Sequence, residues 1–288
     1  MNEPLYRNMT ADQLRIQYNP SRSIPDAPQI FQSWKERSAD FRSRAKAQLD
    51  IPYGELPAAK FDLFLPDKPS PRLHVYIHGG YWQAFGKSDF SFMAEGLVNA
   101  GTAVAVLGYP LCPTVPLQGI VRHARLALSY LWQQAPALGL KQDKIQISGH
   151  SAGAHLCAML IATLWPKFQE GLPDEIIGSA MMMSGVYELQ PLRYIETGKA
   201  LQLTDETAKR LSPLSLRPAG KARMLLCTGG LESIEFKRQS ALLGRSWARY
   251  GASLEVVSFT NRNHFNILDE LAPVNSALVK RSNDLFDF

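Results

Sequence analysis

The segment Ile145–Leu160, reading IQISGHSAGAHLCAML, constrains the fold of this chain more than any other. It begins with apolar residues at alternate positions, which is typical of a short strand, and continues as an Ala/Leu-rich run that is typical of a helix. Between the two lies Gly149-His150-Ser151-Ala152-Gly153, a G-x-S-x-G. In this context the serine sits on a strained turn between strand and helix, and the glycines let other backbone approach closely. The segment therefore predicts a buried strand, a sharp turn and a helix, with Ser151 as a candidate nucleophile.

Strand-like patterns alternate with longer helical patterns along most of the chain. Strands are expected at about 59–65, 72–78, 103–107, 145–150, 176–183, 222–227 and 254–259, and helices at about 90–100, 117–134, 233–250 and 267–280. This alternation predicts an α/β fold whose mostly parallel sheet is covered by helices on both faces. Ligands of such sheets lie outside the carboxyl ends of the strands. No repeat or linker interrupts residues 1–288, so we expect a single domain.

Two segments depart from the alternation. Residues 1–50 predict a helical N-terminal arm: Thr10 can cap a first turn, and Asp26 can start a helix running through Phe31, Trp34 and Phe41. We expect this arm to pack over the domain. Residues 186–215 leave the sheet after Ser184-Gly185 and predict a small cap insertion above its carboxyl edge, where substrate selection is expected.

Composition and charge exclude several classes of partner. The formal charge of +5 over 288 residues is spread along the chain, which argues against nucleic acid as a partner. No apolar run approaches the roughly 20 residues of a membrane helix, so no membrane partner is expected. The odd number of cysteines (three), without paired spacing, predicts reduced thiols and no metal site. The N-terminus lacks a signal-peptide layout, which indicates the cytoplasm. A small-molecule substrate and no cofactor are expected, and a homodimer is left open.

A serine nucleophile needs a base and a group that orients the base. In strand–helix sheets of this kind the order along the chain is serine, then acid, then histidine. Of the six histidines, only His264 lies beyond the last predicted strand, in a polar loop, which makes it the candidate base. The acid should follow the penultimate strand. Glu232 lies in the loop directly after it, whereas the rival Glu235 already falls in a predicted helix; we favour Glu232.

The run His78-Gly79-Gly80-Tyr81-Trp82 directly follows a predicted strand. Two glycines at that point let the backbone turn its N–H groups toward a pocket, and such a loop together with the residue after the nucleophile makes an oxyanion hole. We assign the donors to the N–H groups of Gly80, Tyr81 and Ala152. The candidate substrate-binding side chains are Tyr81, Trp82, His150 and Tyr187.

Taken together, the segments HGGYW, GHSAGAHL, SGVYELQPL, LSPL, ESIEFKRQS and NHFNI resemble the arylformamidase (kynurenine formamidase) branch of the α/β-hydrolase fold. The similarity runs from about residue 53 onward. It implies metal-free hydrolysis of a small aryl formamide, amide or ester through Ser151, Glu232 and His264. Members of that branch usually carry aspartate where Glu232 stands, and glutamate can fill the same role.

Two other functions are open at this point. One is a short-acyl carboxylesterase of a catabolic pathway, which the same residues would serve. The other is a non-catalytic ligand-binding member of the fold, a class that usually loses one of the three catalytic side chains. Because all three are present, hydrolysis through an acyl-enzyme is the favoured prediction.

Overall fold

A computed structural model of the chain describes residues 3–142 and 145–286. Its centre is an eight-stranded sheet in the order β1-β2-β4-β3-β5-β6-β7-β8. The strands are β1 (Ala47–Pro52), β2 (Lys60–Phe64), β3 (Leu73–Ile77), β4 (Ala103–Leu107), β5 (Ile145–His150), β6 (Ile177–Met183), β7 (Arg223–Gly229) and β8 (Leu254–Phe259). β1 pairs with β2, and β2 with β4, in antiparallel orientation. All the other neighbouring pairs in the sheet are parallel.

Ten α-helices and several 3₁₀ turns connect and cover the strands over the described residues. The helices are α1 (Ala11–Tyr18), α2 (Pro20–Ser23), α3 (Ala27–Arg44), α4 (Glu95–Asn99), α5 (Leu117–Gln134), α6 (Ala152–Ile161), α7 (Trp165–Phe168), α8 (Asp205–Arg210), α9 (Ile234–Ala248) and α10 (Ala277–Phe286). The 3₁₀ segments are Lys87–Ala94, Pro136–Leu138, Gln190–Tyr194, Glu196–Leu201, Pro213–Ser215 and Asn266–Glu270. None of the described helices is long and apolar enough to cross a membrane.

Each face of the sheet has its own buried apolar cluster. One contains residues of α5, α6 and α9, such as Ile120, Leu156 and Trp247. The other contains Trp34 of α3 and Leu278 of α10. A parallel strand exposes backbone and side chains on both faces, so it is stable only when both are covered. The predicted fold class, a mostly parallel sheet between two helical layers, is confirmed.

The register of the central strands brings their carboxyl ends to one edge. Ile77 lies beside Gly149, His150 beside Met183, and Met183 beside Cys227. The loops that follow β3, β5, β6 and β7 therefore leave the sheet next to one another. This is what brings distant segments of the sequence together.

The termini differ from the sequence prediction. The arm is helical only to Arg44, and β1 then begins at Ala47, inside the range 1–50 that was predicted to be helical. β1 is an exposed edge strand with a register shift between Gln48 and Ile51, so it lacks a clear apolar alternation. The helix predicted over 267–280 is divided by Pro273, which has no N–H and disfavours a helical residue before it. α10 accordingly starts only at Ala277.

Three histidines are completely buried within the described fold. His74 bonds Gln146 Oε1 at 2.7 Å and Ser148 Oγ at 2.6 Å, while His78 and His155 each have one ring nitrogen without a partner. Burial lowers the pKa of each of these three imidazoles from 6.5 to about 4, because the charged ring would lose its hydration. All three rings are therefore neutral at pH 7.

The buried histidines predict an acid-sensitive fold. Between pH 6.5 and about 4 the unfolded chain binds protons that the folded chain rejects, so stability is present above pH 6.5 and is lost as the pH falls. From pH 7 to pH 5 each histidine should cost about 2 kcal/mol of unfolding free energy. Urea unfolding followed by tryptophan fluorescence should show this loss of unfolding free energy. In His74→Gln the loss should be smaller by about 2 kcal/mol, the contribution of one histidine. Equal pH slopes in the two proteins would contradict the assignment for His74.

Candidate active site

Ser151 occupies a sharp turn between β5 and α6. Its backbone has φ 53° and ψ −115°, a strained conformation for a residue with a side chain. The Ser151 N–H donates to Met183 O at 2.9 Å, which fixes the turn to the neighbouring strand β6. Behind it, a Cβ on Gly153 would lie 2.0 Å from the carbonyl oxygen of Ile77, so only glycine allows this packing of helix on strand. The turn predicted from the G-x-S-x-G is present.

His264 and Glu232 meet at the same edge of the sheet. Glu232 follows β7 and His264 follows β8, and Glu232 Oε2 lies 2.8 Å from His264 Nδ1. The second carboxylate oxygen, Oε1, accepts from Ser184 Oγ at 2.6 Å and from the Gly229 N–H. Two donors, Ser184 Oγ and the Gly229 N–H, thus hold the buried carboxylate against the imidazole. Because the carboxylate accepts at Nδ1, the neutral ring carries its proton there, and Nε2 is left as an acceptor.

Glu235, the rival acid, belongs to another cluster. It accepts from Tyr18 Oη at 2.6 Å and pairs with Arg238 at 2.7 Å. Burial works to raise the pKa of Glu235, but the hydrogen bonds from Arg238 and Tyr18 outweigh it, and the pKa is lowered. Glu235 is therefore a charged anchor for α1, and the structure brings Glu232, rather than Glu235, to His264.

The bend after β3 carries the other predicted groups. Gly80, Tyr81 and Trp82 have positive φ values of 110°, 53° and 57°. In the part of the chain that the structure describes, no carbonyl or side-chain acceptor is bonded to the N–H of Gly80 or Tyr81. Ala152 is the first residue of α6, where a helix leaves its N–H groups free. The assignment of these three N–H groups as oxyanion donors stays a prediction.

His150 contributes a second imidazole to the site. Its Nε2 donates to the carbonyl oxygen of His264 at 2.7 Å, so Nδ1 is the unprotonated nitrogen. Burial, with a smaller effect from neighbouring His264, lowers the pKa of His150 well below its usual value. This hydrogen bond connects the turn at Ser151 to the loop that carries His264.

One cavity of about 290 Å³ joins these parts. Ser151, His150 and His264 line it together with Gly79, Gly80 and Tyr81. Four aromatic side chains also line it: the rings of Phe31, Trp34, Phe85 and Phe265 contact one another, with centroids 4.8–6.0 Å apart. The cavity is thus small and is lined by both polar groups and flat apolar rings.

Two predicted substrate-binding side chains lie elsewhere. Trp82 and Tyr187 are completely buried and do not line the cavity. Trp82 packs edge-on against His155, with ring centroids 4.9 Å apart. The Tyr187 hydroxyl lies so close to Gly185 that a Cβ there would meet it at 2.3 Å. The sequence indicates aromatic residues after a strand, but it does not reveal which way each ring points. Tyr81 and His150 do line the cavity.

The N-terminal arm supplies cavity residues that the sequence analysis did not identify. Asn19, Pro20 and Ser21 join Phe31 and Trp34 in the lining. A hydrogen bond from Tyr81 Oη to the carbonyl oxygen of Tyr18 ties the arm to the bend. From the cap insertion only Thr197 reaches the cavity, and its carbonyl oxygen accepts from Gln83 Nε2 at 2.7 Å. The arm therefore shapes the cavity more than the cap does.

Comparisons with known proteins agree with this architecture. A family model described as BD-FAE matches residues 61–174. Kynurenine formamidase of Danio rerio is 31% identical, with 96% of each chain covered, and that of Drosophila melanogaster is 24% identical over 90% of this chain and 88% of its own. A crystal structure from Silicibacter sp. TM1040 matches with TM-score 0.80 at 30% identity, covering 92% of this chain and 96% of the other. An esterase of Pyrobaculum calidifontis matches with TM-score 0.73 at 15% identity, covering 98% of both chains.

The sheet order, the turn at Ser151 and the loops at the carboxyl edge define an α/β-hydrolase fold. Within that fold, the chain belongs to the kynurenine formamidase family. It is a hydrolase, and the resemblance noted in its sequence motifs is confirmed.

The two carboxylates can be told apart by a matched pair of variants. Glu232→Gln keeps the size of the side chain but removes the charge beside His264, so the rate of hydrolysis (kcat) should fall by roughly 10³–10⁴-fold. Glu235→Gln should lower the unfolding temperature through its bonds to Tyr18 and Arg238 while leaving kcat within a few-fold. The reverse pattern of rates would show that Glu235 is the acid.

Proposed function

We propose that the protein is a metal-independent serine hydrolase that cleaves a small aryl amide, formamide or ester through an acyl-enzyme. The observation that carries the proposal is the 2.8 Å contact of Glu232 with His264 Nδ1 in a cavity that Ser151 also lines. We expect it to work in the cytoplasm without a cofactor.

In the first half of the reaction, Ser151 Oγ attacks the carbonyl carbon while His264 Nε2 takes the hydroxyl proton. The bond from Oγ to carbon forms, and the carbonyl electron pair moves to oxygen. The N–H groups of Gly80, Tyr81 and Ala152 stabilise that oxygen, and each donor lowers the activation barrier by about 3–4 kcal/mol. Glu232 stabilises the imidazolium without taking its proton. The carbon–nitrogen or carbon–oxygen bond then breaks, and His264 gives its proton to the leaving amine or alcohol.

In the second half, water takes the place of the leaving group. His264 removes a proton from the water as it attacks the acyl carbon, the acyl–Oγ bond breaks, and the proton returns to Ser151. The acid is released and the enzyme is restored. Both halves use the same three side chains and the same donors.

The lining of the cavity supports this substrate class. Four aromatic rings line the cavity together with the polar groups, and flat aryl groups stack against such rings at centroid distances of about 4.5–7 Å. A volume of about 290 Å³ suits one aromatic ring and a short acyl group. The relatives named kynurenine formamidase support an aryl formamide as the first candidate. A short-acyl carboxylesterase is the alternative.

The proposal is tested by turnover of Ser151→Ala beside the unchanged protein. We expect at least a 10³-fold loss of kcat on N-formylaniline and on phenyl acetate, with the thermal unfolding temperature retained. A Ser151→Ala variant that kept its turnover would overturn the serine mechanism. The ratio of kcat/KM on the two substrates separates the formamidase from the carboxylesterase.

A further inference from the structure

A second, larger cavity lies away from the catalytic one. It is an open groove of about 960 Å³ formed by the first half of α5, the end of α6, α7 and the end of α8. It shares no lining residue with the cavity at Ser151. Its size falls within the range of about 300–1,000 Å³ that is usual for small-molecule sites.

The charge of this groove has one sign. Arg122, Arg125, Lys167 and Arg210 line it, and no carboxylate does. Across residues 3–142 and 145–286, none of the four forms an ion pair with an acidic side chain within 4.0 Å. Arg125 is the partly buried member of the four, and most other arginines of the described chain that are as buried do have such partners, as Arg238 does with Glu188 and Glu235. The groove thus concentrates unneutralised positive charge.

Of the four cationic side chains, Arg125 gives the strongest evidence that an anion binds in the groove. Its side chain is partly buried, and its only hydrogen bond to a described residue is from Nε to Thr163 Oγ1 at 2.9 Å. The Phe168 ring lies 5.9 Å from the guanidinium carbon. Burial lowers the pKa of Arg125, because the charged group has lost water without gaining a counter-ion. Four N–H donors of the guanidinium have no partner in the described protein. An anion beside Arg125 would recover the interaction that burial removed.

Apart from Gln118 and Gln169, the other side chains that line the groove are apolar. Met159, Leu211 and Leu216 line it beside Phe168. Apolar surface of this kind binds the hydrocarbon part of a ligand, whereas the fork of an arginine suits the two oxygens of a carboxylate. Arg122 and Arg125 stand three residues apart on α5, so their side chains lie on the same side of the helix.

We propose that this groove is a second binding site, for a small amphiphilic carboxylate whose charged head is held by Arg125 and Arg122 and whose apolar body lies on Met159, Leu211 and Leu216. This site is independent of the chemistry at Ser151. Lys167 and Arg210, at the exposed rim, add long-range attraction that falls as salt is added.

Isothermal titration of the unchanged protein with sodium octanoate tests the proposal. We expect saturable binding that weakens between 50 and 300 mM salt, and at least tenfold weaker binding of 1-octanol, which has the same chain without the charge. Arg125→Gln should weaken octanoate binding at least tenfold. Arg249→Gln removes the same charge from an exposed position outside the groove and should leave binding unchanged.

The controls separate this site from the catalytic cavity. Hydrolysis rates of Arg125→Gln should match those of the unchanged protein, and octanoate should not compete with substrate. Equal octanoate affinity in Arg125→Gln, equal affinity for octanol, competitive inhibition as the sole effect, or no saturable binding would each overturn the proposal. None of these outcomes depends on whether Ser151 is the nucleophile.

Discussion

The turn at Ser151 depends on backbone packed closer than any side chain permits. A Cβ at Gly153 would lie 2.0 Å from the carbonyl oxygen of Ile77, and one at Gly149 would lie 2.4 Å from the backbone of Gly153. This contact seats α6 directly on β3 and β5, and it holds Ser151 at a positive φ with its N–H bonded to Met183. The strain at one residue is offset by the packing of the whole central sheet. The packing of the central sheet therefore makes the site rigid.

A second set of contacts connects the arm to both halves of the site. Gln17, at the end of α1, accepts at its carbonyl oxygen from Ser233 Oγ at 2.7 Å, beside Glu232, and at Oε1 from the Glu235 N–H at 3.2 Å. The next residue, Tyr18, accepts at its carbonyl oxygen from Tyr81 in the bend. One turn of helix thus bridges the loop of the candidate acid and the loop of the candidate oxyanion donors. The arm is part of the site's framework as well as its wall.

The sequence predicts the sheet, the turn and the catalytic candidates because each leaves a local pattern. β8 and α5 match their predicted bounds, and Glu232 could be preferred to Glu235 because it lies in a loop. The features that the sequence does not predict are set by long-range packing. The edge strand β1 has no apolar alternation, the inward rotation of Trp82 and Tyr187 depends on their neighbours, and the arm reaches the cavity only through tertiary contacts. Ser184 donates a hydrogen bond to Glu232, but in the sequence it is only a polar residue at the end of a buried strand.

The central claim is that Ser151 carries the acyl group during turnover. Its most direct test is mass spectrometry of the enzyme quenched in acid during hydrolysis of phenyl acetate, followed by peptide mapping. The account predicts one added acetyl group, on the peptide that contains Ser151, and none in Ser151→Ala. An actively hydrolysing enzyme that shows no acyl adduct and does not react with a fluorophosphonate at Ser151 would contradict it.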